Sequence, residues 1–116
     1  MPKRKLDPLP SAAFQILLSL AGEDLHGYAI MRQVADQTNG RMRLGPGTLY
    51  SSIQTLLEGK LIEELDARED SRLGPQRRRY YRLTSAGRKL ARGEADRLAD
   101  VLRLARRKNI LRGEYV

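Results

Sequence analysis

The feature that most restricts this chain is a change of hydrophobic period at Gly59. Before it, apolar residues recur at helical spacing; after it they alternate, and after Thr84 helical spacing returns. The first helical pattern spans residues 11–22, SAAFQILLSLAG, with Ser11 read as its N-cap and Gly22 as its end. Phe14, Leu17, Leu18 and Ala21 follow the i, i+3, i+4, i+7 rule, and Ile16 and Leu20 widen the stripe. A second helix is predicted from Gly27 to Thr38, with Ile30, Met31, Val34 and Ala35 inward and Asn39-Gly40 as a stop. Residues 41–44 form a short, extended link. Pro46 then suits the first turn of a third helix, because its missing N–H would be unpaired there in any case. Leu49, Ile53, Leu56 and Leu57 make that helix's apolar stripe.

Beyond Gly59, residues 61–67 and 78–84 read as two strands joined by a polar turn over 68–77, whose length makes a mobile tip the expectation. Thr84 caps a last helix reaching about residue 108. The fold class is therefore mainly α with a small β-hairpin. Three helices followed by a two-stranded ribbon make a winged helix-turn-helix, here over residues 11–84. A basic arm, expected to be mobile, precedes it at 1–10, and a C-terminal helix and tail follow at 85–116.

A chain of 116 residues is long enough for one domain. It has no cysteine and a single histidine, which removes disulfides, thiolate metal sites and cysteine catalysis. No cofactor or metal is expected. His26, at the start of the second helix, reads as a cap or packing residue, not a catalytic base. Carboxylates at 63, 64, 66, 69 and 70 are strung along a strand and turn, which suits local charge balance better than paired acid–base work. An enzyme is not expected. Residues 1–10, MPKRKLDPLP, lack the apolar core of a signal peptide and no apolar run approaches membrane-spanning length, so the expected location is the cytoplasm, without a membrane partner.

Charge points to the partner. The chain carries 22 Lys and Arg against 14 Asp and Glu, a net charge of +8, and nine of the basic residues fall between 68 and 92 beside only two acidic ones. A clustered basic surface on a small domain suits a polyanion, nucleic acid first and an acidic membrane surface second. The major groove, about 12 Å wide, accepts one helix braced by an apolar face and carrying short hydrogen-bonding groups outside. The third helix offers Gly47, Thr48, Ser51, Gln54 and Thr55 there, with Tyr50 on the flank. Arg77, Arg78, Arg79 and Arg82 of the ribbon supply a wing for the phosphates of double-stranded DNA. An ordinary solvated face is the plain alternative for each group taken singly. The rival functions are architectural or RNA binding without sequence choice, thinly supported because Tyr80 alone is a credible stacking platform, and a winged domain used only for protein contacts.

Ala91, Ala95, Leu98, Leu102 and Ala105 are spaced 4, 3, 4, 3, an a/d seam of about two heptads. The seam is expected to be shared between the home domain and a second copy, giving a homodimer. An apolar cavity between the last helix and Phe14 is a candidate for a small apolar effector, weighed equally against a tight, ligand-free interface.

HGYAI at 26–30, GTLYSSIQTLLEGKLIE at 47–63 and RRRYYRLTSAGRKLA at 77–91 resemble the PadR family of bacterial and archaeal transcriptional regulators. The resemblance runs from about residue 11 to 105. Its specific parts are Gly-Thr-Leu-Tyr at the start of the third helix and Tyr-Tyr-x-Leu-Thr-x-x-Gly in the second wing strand. It implies a winged helix-turn-helix dimer acting mostly as a repressor, with recognition-helix residues at Thr48, Tyr50, Ser51 and Gln54 and a wing at Arg77, Arg78 and Arg79. The single last helix resembles the family's short branch, in which that helix makes the dimer. Some short members hold flat apolar drugs between a pair of tryptophans, and this chain has no Trp.

Overall fold

The computed structural model describes residue 6 and residues 8–65, 68–69 and 77–112. Most of the basic arm and the tip of the wing, 70–76, lie outside the described residues. Helix α1 spans Ser11–Leu20. Pro10, with extended backbone, holds the N-cap position and its carbonyl accepts the Phe14 N–H at 2.9 Å. Ser11 is therefore the first helical residue and not the cap. The buried stripe is Ala13, Ile16, Leu17 and Leu20, flanked by Phe14, whereas Leu18 and Ala21 are exposed. The same i, i+3, i+4, i+7 template fits both sets, one residue apart. Periodicity alone cannot choose between them in so apolar a helix.

Strand β1, Leu25–His26, leads directly into helix α2, Gly27–Gln37. At the end of α2, Asn39 and Gly40 take left-handed φ of 54° and 76°, and the Gly40 N–H returns to the Ala35 carbonyl at 2.7 Å. This is the expected stop, made by the two residue types that tolerate that conformation. Helix α3, Pro46–Glu58, follows, then strands β2 (Ile62–Glu64), β3 (Arg68–Glu69), β4 (Arg77–Arg78) and β5 (Tyr80–Leu83), and helix α4, Ser85–Arg107.

Two departures from the sequence reading concern the sheet. β5 lies between β2 and β1, all antiparallel, so the ribbon is part of a three-stranded sheet. β3 pairs with β4 where a turn was expected, carrying the wing beyond the central sheet. Alternation along β5 buries Tyr81 and leaves Tyr80 half-buried and Arg82 exposed. Burial pushes the Tyr81 hydroxyl pKa up, and the nearby Glu64 carboxylate adds to this.

α1 lies at the centre of the core and packs against α2, α3 and α4. Ile16, Leu17, Ile30, Val34, Leu49 and Leu56 are fully buried. Leu9 also belongs to the core, so the chain is already anchored two residues before α1. α4 starts in a tight fit. The Thr84 hydroxyl accepts the Gly87 N–H at 3.0 Å and donates to the Lys60 carbonyl at 2.9 Å. Gly87 lies against the Leu61 carbonyl, and a Cβ there would collide with it.

Candidate nucleic-acid interface

α3 is braced from within by Leu49, Ile53 and Leu56. Full burial of such side chains contributes about 1.5–3 kcal/mol each, enough to fix the helix's orientation. Gly45 is its N-cap and provides no side-chain cap. The first-turn amides consequently lack side-chain acceptors and form a site that favours an anion. A Cβ added at Gly45 or Gly47 would meet nothing within 4 Å, so the leading backbone is uncovered.

Gly47, Thr48, Tyr50, Ser51 and Gln54 are exposed. The Ser51 hydroxyl donates to the Thr48 carbonyl at 3.3 Å, leaving its lone pairs outward. Gln54 has only a long 3.4 Å contact to Glu58 on the exposed surface, so its amide is available to a partner. Thr55 departs from the expected outer face. It is half-buried, bonds back to Ser51 at 3.1 Å, and with Ser52, Leu6, Pro10 and Ala13 lines a hollow of about 210 Å³ toward α1.

Tyr50 connects two of the sequence motifs. Its ring is 53% exposed, yet its hydroxyl lies directly over Gly27, where a Cβ would sit 2.6 Å from it. Glycine at 27 therefore sets the flank of α3. His26, the residue before, caps α2 by accepting the Ala29 N–H on Nδ1 at 3.2 Å, and its ring meets Tyr80 edge-on at 5.4 Å.

The wing arginines differ from one another. The backbone of Arg77 and Arg78 lies in β4, and Arg79 is exposed, 3.9 Å from Glu64. Arg82, expected as a phosphate ligand, grips Asp24 with two prongs, Nε at 3.3 Å and Nη2 at 3.0 Å. That bond raises the already high Arg82 pKa further. Arg82 thus ties β5 to the turn before β1. No local signal marks a partner 58 residues away, and neither Asp24 nor Gly27 stood out in the sequence as part of the site.

The α4 seam divides. Ala91 and Leu98 are half-buried on the home core, Ala105 is half-buried, and Ala95 and Leu102 are exposed. Leu102 is 39% exposed, beside Val101 at 48% and Leu104 at 43%. A groove of about 490 Å³ runs between α4 and the chain before α1, with Leu6, Leu9, Leu61, Leu90 and Gly93 among its walls. Phe14, the expected wall, lies in the core instead. Arg97 bonds Glu94 beside the groove, at 2.6 and 2.9 Å, and holds that carboxyl below its usual range. Among the described residues, no helix is long and apolar enough to cross a membrane.

Residues 16–92 match the transcriptional regulator PadR-like family. An uncharacterized 37.1 kDa protein in transposon TN4556 of Streptomyces fradiae is 38% identical over 88 residues. The match covers 76% of this chain and 23% of that protein, so the chain spans about a quarter of that relative's length. A PadR family transcription regulator from Clostridium difficile R20291 superposes with a TM-score of 0.71 at 21% identity, covering 84% of this chain and 97% of that one. Bacillus subtilis PadR, crystallised in complex with operator DNA, superposes at 0.61 with 18% identity over 76% of this chain and 46% of its own. At these identities the two structures establish the winged-helix fold alone, and the family rests on the match over 16–92. This chain belongs to the PadR-like family of transcriptional regulators.

Proposed function

We propose that the chain is a repressor that binds double-stranded DNA as a homodimer and reads a pseudo-palindromic operator. The observation that carries this is α3 itself. Its inner face is completed by the core, while Thr48, Tyr50, Ser51 and Gln54 face outward beside an uncovered N-terminus. The complex of Bacillus subtilis PadR with operator DNA supports it from the same fold. The open apolar face at Val101, Leu102 and Leu104 supports the second copy. Two symmetric α3 helices would meet half-sites about 34 Å apart. The groove beside Gly93 is where a small apolar effector would change the fit of α4 and weaken DNA binding. Tyr80 favours DNA over single-stranded RNA, because its ring is engaged edge-on by His26.

The test selects bound sequences from random duplexes and then titrates two variants on and off the selected site at several salt concentrations. Gln54→Ala is expected to cost about 1–3 kcal/mol on the site and little on random DNA. Arg78→Ala is expected to weaken both alike and to lower the salt slope by about one. If Gln54→Ala weakens both equally while Arg78→Ala affects only the selected site, the roles of helix and wing are reversed. If no duplex is bound, the reading fails.

A further inference from the structure

The link between α2 and α3 alternates like a strand although it pairs with none. Met42 and Leu44 turn inward onto the core, and Arg41 and Arg43 turn outward and are exposed. The link is pinned. The Thr38 hydroxyl donates to the Val34 carbonyl at 2.8 Å and accepts the Met42 N–H at 3.0 Å, while the Arg41 N–H bonds the Thr38 carbonyl at 3.0 Å. The Arg43 guanidinium lies back along Gly40, where a Cβ would be 3.2 Å from Nη2. Gly40 thus provides both the left-handed turn and the room for that side chain.

Around the wing and the start of α4, the arginines whose side chains are described have partners. Arg79 and Arg82 face carboxylates, and Arg88 donates to the Ala21 carbonyl. Among the described residues, neither Arg41 nor Arg43 meets an acceptor. Arg32, Arg92, Arg106, Arg107 and Arg112 share that condition, but Arg41 and Arg43 alone directly precede α3. Three residues of chain span at most about 10 Å, so Arg43 cannot lie farther than roughly one groove width from Pro46. The wing strands leave from the other end of α3, after Gly59. Two cations held outward at the leading end of a groove-reading helix suit the phosphates that edge that groove, where contacts set register without reading bases.

We infer that Arg41 and Arg43 form a second phosphate clamp, at the leading end of α3 and separate from the wing. This rests on the reading of α3 as the base-reading helix. The clamp adds affinity for any duplex without reading bases.

The experiment uses the full chain, a duplex carrying its selected site and a random duplex, titrated from 50 to 200 mM salt. Each lost phosphate contact lowers the slope of log affinity against log salt by about 0.9. Arg41→Gln with Arg43→Gln should therefore lower it by about 1.8, shrinking the affinity lost across that range by about 12-fold. The ratio of specific to random affinity should stay unchanged, and far-UV dichroism should match the parent. Arg92→Gln with Arg107→Gln, which removes equal charge from α4, should leave the slope in place. An unchanged slope in the link variant, with Arg78→Ala still lowering it, overturns the clamp and leaves the recognition helix standing. An equal fall in the α4 variant also overturns it, because general charge would then be responsible. Undetectable or salt-independent binding by the parent overturns both readings.

Discussion

Helices α3 and α4 are both amphipathic, but only α3 packs its aliphatic stripe inside this chain. α3 has 13 residues and places Leu49, Ile53 and Leu56 in the core. α4 has 23 residues, and the single one that is buried is Gly87, in its first turn. Its later apolar residues Val101, Leu102 and Leu104 remain open. A helix whose inner face is satisfied has a polar face free for a ligand of another kind. A helix whose apolar face is left over needs more apolar surface, because exposed apolar area of this kind marks an interaction site. On the proposed function, the two helices would address different partners.

The largest expected effects test this contrast directly. Leu49→Ala should lower unfolding free energy by about 2–5 kcal/mol in denaturant titrations, since it removes fully buried carbons and leaves a cavity. Leu102→Glu should leave the fold intact and move the protein toward monomer in sedimentation, because a second copy would otherwise bury the new charge. Leu102 is a better probe than Leu98, which leans on the home core. If Leu102→Glu is as dimeric as the parent, α4 is not the interface and the contrast fails.

A smaller effect separates two helix starts. Gly87→Ala should cost about 1–3 kcal/mol or more, because its Cβ would collide with the Leu61 carbonyl and α4 would have to shift on the core. Gly47→Ala meets no atom and should leave thermal stability within about 0.5 kcal/mol of the parent. Equal losses for both would mean that α3 is held at its start as tightly as α4, and that its leading backbone is not free.

What was legible in the sequence divides along a similar line. Elements marked by local chemistry came through: Asn39-Gly40 as a stop, Pro46 in the first turn of α3, Thr84 as a cap and the alternation that buries Tyr81. Features that depend on distant partners did not. β1 has two residues, too few to alternate, and exists because β5 pairs with it. Arg82 reads locally as one more wing cation, and its ion pair with Asp24 has no local signal. Thr55 sits on the outer side of an ideal wheel, yet it is half-buried and lines a hollow shared with Leu6, Pro10 and Ala13. In α1 the helical template fits two registers one residue apart, because Leu17 and Leu18 both satisfy it, and the choice is made by α2 and α3 packing against α1.

The smallest effect bears on what the open side of α4 is for. Gly93 is exposed in the interior of that helix, lines the groove of about 490 Å³, and has no atom within 4 Å of where a Cβ would lie. Glycine in a helix interior costs roughly 0.5–1 kcal/mol relative to alanine, chiefly through backbone freedom in the unfolded chain. Gly93→Ala should therefore stabilise the protein by that amount, raising Tm by a few degrees in a thermal melt. The gain holds only if nothing approaches the backbone at 93 in the assembled protein. If the variant melts lower and at the same time dissociates more readily in sedimentation, a second copy reaches the helix at Gly93 and the groove is part of the interface. If it melts higher and remains assembled, the groove is open beside the interface, and the part of α4 left unfinished by this chain lies farther along, at Val101, Leu102 and Leu104.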